Sequence, residues 1–163
     1  DDGPMFETAA ILLWLVDKTG RLGPGPNDTD RGAFLSWLFF TSNALHQAAL
    51  AMFYPHRPAG EANTDAARAT AHDQVVARLG LIEAMLATQS PRWLSADHPG
   101  VLGLYIGVLV RWLTSLPPEP YRINLAEFPK LRAVLVAIEA RPSVQRVAAD
   151  EGLGAHPFTH AGA

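Results

Sequence analysis

The chain has 163 residues, enough for one domain with a real core, and its 48% hydrophobic and 18% charged residues exclude a disordered protein. The net charge is −3 with no basic stripe, so we expect no nucleic-acid partner. Cysteine is absent, which excludes disulfides, thiolate metal sites and a cysteine nucleophile within these residues. No apolar run approaches the roughly 18 residues that a bilayer-spanning helix needs, so we expect no membrane partner.

The first predicted helix runs from about Glu7 to Lys18, with Gly20 after it as a stop. Helical periodicity continues along the chain, and no segment shows the alternation typical of a β-strand. The apolar residues of this first helix cover more than one of its faces. It therefore needs neighbours on several sides.

Five further helices are predicted from apolar periodicity, caps and stops. They lie at about 29–54, 64–89, 101–115, 129–140 and 142–151. The fold class is thus all-α, a helical bundle. A loop rich in Gly and Pro separates it from the first helix, and HRPAGEAN is a second loop. We divide the chain into a first unit (1–20), a linker (21–28), a helical domain (29–153) and a flexible tail (154–163).

The longest apolar-rich helix, 29–54, carries two apolar stripes. The first consists of Phe34, Leu38, Leu45 and Met52, and the second of Leu35, Phe39, His46 and Phe53. One stripe can be buried in the bundle, whereas the other must face a cleft, another domain or a second subunit. His46 on the second stripe is either a satisfied interface histidine or an acid–base group facing a cleft. The stripe alone leaves both open.

Three stretches, taken in order, resemble the cytosolic glutathione transferases, and the second is similar to bacterial beta-class members. They are ETAAILLWLVDK (7–18), WLFFTSNALHQ (37–47) and ARPSVQRVAADEGL (140–153). The resemblance implies a helical bundle of the transferase C-terminal type, preceded by the last helix of a truncated thioredoxin-like domain. Since the chain begins with Asp1 and its first Met is Met5, we expect that most of that domain is missing here.

The resemblance also assigns site residues. Glu7 matches the acid that contacts the γ-glutamyl amino group of glutathione, and Thr8 matches the serine that binds its carboxylate. A helix N-terminus suits that carboxylate, although acids and hydroxyls also begin ordinary helices. His46 matches a histidine near the thiol and is the catalytic candidate, the main catalytic residue being outside this chain. The electrophile pocket is assigned to Trp37, Phe39 and Asn43.

Several residues depart from the family pattern. Gln47 replaces a lysine, and Phe39 replaces an asparagine. At the start of the central helix, Gly100 and Gly103 stand where the family has a hydroxyl residue and an aspartate, so both side-chain acceptors of a capping box are lost. We therefore expect a weaker start to that helix.

The resemblance implies a cytoplasmic, homodimeric detoxification enzyme that conjugates glutathione to an apolar electrophile and needs no metal. The spacing of His156 and His160 suggests a metal pair, but Pro157 between them disfavours the helix it requires. Because the thiol-activating domain is missing, we expect the isolated chain to be inactive. Two alternatives remain: a non-catalytic interaction module of the same fold, and an unrelated helical bundle.

Overall fold

The structure, a computed structural model, describes residues 3–160, and every regular element in that range is helical. Its α-helices are α1 (Thr8–Thr19), α2 (Arg31–Phe40), α3 (His46–Phe53), α4 (His56–Ala59), α5 (Thr64–Gln89), α6 (Gly100–Ser115), α7 (Pro129–Glu139) and α8 (Pro142–Asp150). The all-α prediction is confirmed. None of the described helices has both the length and the apolar character needed to cross a bilayer.

The predicted helix 29–54 is interrupted by one wider turn. A π-helical turn, Thr41–Leu45, joins α2 to α3, and the His46 N–H donates to the carbonyl of Thr41. A π-turn inserts one residue into the helix and so rotates everything after it relative to everything before it. The sequence carries no clear signal for this insertion, which sets the direction of the His46 side chain.

The core is built around α6, whose apolar sequence is buried on most sides. Leu102, Ile106, Leu109 and Leu113 have no more than 1% of their surface exposed. Helix α6 contacts α1, α3 and α7, and α5 packs against α3 and α7. The first stripe of the long helix, Phe34, Leu38, Leu45 and Met52, is fully buried, as predicted.

The two glycines at the start of α6 are explained by close packing. Gly100 has a φ of +56°, and a Cβ at this position would lie 2.6 Å from the carbonyl oxygen of Leu22. A Cβ on Gly103 would lie 2.7 Å from Cδ1 of Ile138. The helix has no side-chain cap, but the Val101 N–H donates to the Leu22 carbonyl at 2.9 Å. The linker backbone therefore supplies one of the acceptors that the missing capping box would have supplied.

Two segments are more ordered than the sequence suggested. The HRPAGEAN loop contains α4 and a short 3₁₀ turn, Glu61–Asn63. Where we expected a flexible tail, residues 154–160 pack against the bundle, and Phe158 is 6% exposed against Gly107. The buried Glu139 accepts hydrogen bonds from the backbone N–H groups of Phe158 and Thr159. The last part of the predicted tail, 161–163, lies outside the described residues.

Candidate functional site

A histidine–tyrosine pair lies where α3 meets α6. Nδ1 of His46 is 2.8 Å from the hydroxyl oxygen of Tyr105, and the two rings meet edge to face. The indole of Trp112, two turns further along α6, lies 6.1 Å from the imidazole between ring centroids. The imidazole is therefore oriented by two aromatic residues on one face of α6.

The Tyr105 hydroxyl lies where three parts of the chain meet. Besides its hydrogen bond with His46, it is close to the hydroxyls of Ser42 in the π-turn and of Thr8 at the start of α1. Because Ser42 and His46 are four residues apart across the wider turn, both reach the same tyrosine. The N-terminus of α1 thus lies next to the His46–Tyr105 pair.

Burial favours the neutral form of both members of the pair. It lowers the pKa of His46 below 6.5, and the carboxylate of Glu7 opposes part of that shift. Burial raises the pKa of Tyr105 above 10.0, against the effect of the nearby Ser42 and Thr8 hydroxyls, and Glu7 adds to the rise. At neutral pH the phenol keeps its proton and the imidazole is mostly uncharged.

The start of α1 is exposed and its backbone is unusual. Glu7 has φ 70° and ψ 114°, and its carbonyl accepts the Ile11 N–H at 3.0 Å, whereas its side chain makes no capping hydrogen bond. Thr8 is also exposed. The first N–H groups of a helix have no partner within the helix, so this end can accept an anionic group. The Glu7 carboxylate is available for a cation beside it.

Glu7, Thr8 and His46 lie near Tyr105, and the residues assigned to the electrophile pocket lie on α2 and the π-turn. Trp37 is partly buried and packs edge to face on Phe40, with ring centroids 5.2 Å apart. Phe39 is 44% exposed. Residues two positions apart point in roughly opposite directions on a helix, so Trp37 and Phe39 lie on different sides of α2. Asn43 is exposed and lies on the π-turn.

Tyr105 belongs to the candidate site through its hydrogen bond with His46 but was not predicted from the sequence. The available signal was a tyrosine within a very apolar helix, because a buried phenol nearly always has a hydrogen-bond partner. The sequence did not say which residue that partner would be.

The remaining features of the described structure lie away from this cluster. Across residues 3–160 no group of three or more His, Asp or Glu side chains is arranged to hold a metal ion. A groove of about 550 Å³ lies near the end of α6 and the start of α7, and Asn124, Arg132 and His160 are among its lining residues. None of the predicted site residues lines it.

Comparisons with known proteins point to one fold. No protein-family model matches the chain. It is similar to a sphingomonad glutathione S-transferase complexed with glutathione (29% identity, TM-score 0.69, 92% of this chain and 69% of that one). It is also similar to the beta-class glutathione S-transferase of Sphingomonas chungbukensis (26% identity, TM-score 0.69, 92% of this chain and 69% of that one). A third similar structure is a Burkholderia graminis glutathione transferase with two glutathione molecules bound per subunit (27% identity, TM-score 0.71, 88% of this chain and 59% of that one).

The predicted resemblance to bacterial glutathione transferases is confirmed at the level of structure. The chain has the fold of their helical domain, and it spans 59–69% of the length of these three structures. The activity of a whole transferase is therefore a proposal for this chain.

Proposed function

We propose that this chain is the glutathione-contacting helical part of a glutathione transferase, which adds the thiolate of glutathione to an apolar electrophile. The observation that carries the proposal is that the exposed N-terminus of α1 lies beside the hydrogen-bonded pair of His46 and Tyr105. It is supported by the similarity to a transferase complexed with glutathione.

The start of α1 has the chemistry to bind the γ-glutamyl end of glutathione. Its free N–H groups and the positive end of the helix dipole favour a carboxylate, an interaction worth roughly 0.3–1 kcal/mol at an exposed site. The carboxylate of Glu7, which is not used as a cap, favours the amino group. Glutathione carries both groups on one carbon, so one short segment can bind that end of the molecule.

His46 is proposed to act near the sulfur. It is neutral at physiological pH, partly exposed, and held from one side by Tyr105 and Trp112. A polar group in this position stabilises charge that develops on the thiol. The exposed side of the long helix, with Phe39 and Asn43, would contact the electrophile.

The activity is proposed to need a thioredoxin-like domain before α1. The side chain of Phe6 is 81% exposed and that of Ile11 is 37% exposed, so an apolar surface next to the site is uncovered in this chain. That domain would cover this surface and supply the group that ionises the thiol. A cytoplasmic homodimer with a detoxification role belongs to the same proposal.

Calorimetric titration of glutathione into the chain preceded by a thioredoxin-like domain tests the proposal. We expect binding in the micromolar to millimolar range, lost in Glu7→Ala, and turnover of a model aryl chloride, reduced in His46→Ala. The matched control is Glu61→Gln, an exposed acid in the loop after α4. The isolated 163-residue chain is expected to show no turnover above the uncatalysed rate.

Undetectable binding by the two-domain protein would contradict the proposal. The interaction-module alternative would then be preferred, and cross-linking to a different protein rather than to a second copy of the chain would support it.

A further inference from the structure

We propose that His156 and His160, in the C-terminal segment, bind a divalent transition-metal ion such as Zn²⁺ or Cu²⁺ through the Nε2 atoms of their two imidazoles. The pair shares no residue with the candidate glutathione site, and the inference does not rest on the proposed function.

The two imidazoles lie on one face of a single helical turn. The His160 N–H donates to the carbonyl of His156 at 3.1 Å, which is the hydrogen bond of an α-helical turn. Side chains at this spacing lie next to each other. The sequence analysis expected Pro157 to disfavour a helix here, but a proline is tolerated in a first turn, where its missing N–H costs nothing. One turn is enough to bring the two rings together.

The separation of the rings is close to that of two imidazoles on one metal ion. A Zn–N bond is about 2.0–2.1 Å long, which places each ring centroid about 3.2 Å from the metal. At a tetrahedral angle the two centroids are then about 5.2 Å apart. In this chain the centroids are 5.4 Å apart, so the rings need to move little to share an ion.

The proton of the His156 ring lies on Nδ1. This atom is 3.1 Å from Oε1 of Glu139, a carboxylate that is 3% exposed. An imidazole nitrogen is a stronger base than a carboxylate oxygen, so the proton of this hydrogen bond belongs to the nitrogen. In the neutral ring Nε2 then carries a lone pair. A histidine that binds a metal commonly donates its other ring N–H to a carboxylate in this way.

Thr159 orients His160 in a similar manner. Its hydroxyl donates to Oε1 of Glu139, which uses its only proton. The same hydroxyl oxygen is 3.3 Å from Nδ1 of His160, where it is left to accept, so Nδ1 is the donor. In both rings Nε2 is therefore the unprotonated nitrogen, and no hydrogen bond within residues 3–160 occupies it. One buried carboxylate thus prepares both ligands.

The backbone that carries the pair is held to the bundle on both sides of the turn. Arg111 donates to the carbonyl of Pro157 at 3.1 Å, and Gln145 donates to that of Ala155 at 2.9 Å. Both histidine side chains are nevertheless exposed, so an ion from solvent reaches them, and water fills the remaining coordination positions. Imidazole suits Zn²⁺, Cu²⁺ and Ni²⁺, whereas Mg²⁺ prefers oxygen ligands. The site is therefore selective for the transition metals.

Calorimetric titration of Zn²⁺ into the 163-residue chain tests the proposal. We expect one ion bound per chain, and no binding of Mg²⁺. His156→Ala and His160→Ala should each weaken Zn²⁺ binding at least about tenfold, since loss of a supporting partner alone commonly costs about 10–100-fold. The matched control is His98→Ala, which removes an exposed histidine before α6 and should leave the affinity unchanged. Circular dichroism should show that all variants are folded.

A long-range ¹H–¹⁵N spectrum of the chain labelled with ¹⁵N-histidine tests the arrangement of protons. At about pH 8, where an ordinary histidine is neutral, both rings should show a protonated Nδ1 and an unprotonated Nε2. Zn²⁺ should shift the Nε2 resonances of these two histidines and not that of His98. Thr159→Val, which removes the hydroxyl beside His160, should give a mixture of tautomers at that ring.

Four results would overturn the proposal. They are the absence of saturable Zn²⁺ binding, an unchanged affinity in folded His156→Ala and His160→Ala, an equal loss of affinity in His98→Ala, and a protonated Nε2 at His156 in the metal-free chain.

Discussion

At the scale of single residues, Glu7 is the position that local structure explains least. Its φ of 70° lies in a region where residues other than glycine are strained, typically by about 1–3 kcal/mol. Its side chain does not compensate, since it caps no N–H group. Strain of this kind persists where the surroundings or a ligand require it. The proposed binding of glutathione beside His46 and Tyr105 would account for this strain, whereas helix capping does not.

The charge of Glu7 should be measurable at His46. Because its carboxylate raises the pKa of His46 against the larger effect of burial, Glu7→Gln should lower that pKa further. An NMR titration of the His46 ring protons would show the change. Glu61→Gln provides the control, and an equal shift in both variants would mean that the effect is not local to α1.

His46 should also make stability depend on pH. Its pKa is lowered in the folded chain, so the unfolded chain takes up a proton first as the pH falls below 6.5. The stability that this group contributes is fully present above 6.5 and is lost as the pH falls towards the lower pKa of the folded state. Urea unfolding of wild type and His46→Gln from about pH 8 to about pH 5 should show wild type losing its relative stability on acidification. If the free energy of unfolding of wild type rose relative to that of His46→Gln on acidification, this expectation would be contradicted.

At the scale of elements, local signals predicted most of the helices. Pro129 and Pro142 mark the first turns of α7 and α8, and Thr64 and Gln89 bound α5 as expected. The π-turn was not predicted, because the same apolar stripe also fits a regular α-helix. Whether the helix is regular or contains the extra residue of a π-turn depends on its packing against α6, which the local sequence does not reveal. The candidate site shows the same limit. Glu7, Thr8 and His46 belong to sequence motifs, whereas the contact of Tyr105 with His46 joins residues that are distant in sequence.

The glycine at the start of α6 gives a test of packing against local propensity. Gly100→Ala places a Cβ at a positive φ and 2.6 Å from the Leu22 carbonyl, so it should lower the free energy of unfolding by about 2–4 kcal/mol. The control is Gly80→Ala within α5, where a Cβ has no atom within 4 Å. That change should stabilise the chain by about 0.5–1 kcal/mol, because alanine is the better helix former. Chemical denaturation of both variants measures the two effects, and equal changes would refute the packing argument.

At the scale of the whole molecule, the buried carboxylate of Glu139 binds the C-terminal segment 154–160 to the helical core by hydrogen bonds. Glu139 is 2% exposed, and its two carboxylate oxygens accept from the N–H groups of Phe158 and Thr159, from the Thr159 hydroxyl and from the His156 ring. These bonds hold Phe158 against Gly107 in the middle of α6. Tyr105 of the candidate site is also on α6, so the C-terminal segment packs against the helix that carries this residue.

Glu139→Gln should therefore loosen this segment. A glutamine offers one accepting oxygen where four donors converge, and its amide protons face groups that themselves donate, so we expect a loss of about 1–3 kcal/mol. Amide hydrogen exchange should quicken at Phe158 and Thr159 more than in α5. The control, Glu151→Gln, changes an exposed acid at the end of α8 and should alter neither quantity. If exchange at Phe158 stayed as slow as in wild type, the hydrophobic contact with Gly107 alone would hold the segment, and the carboxylate would not be its anchor.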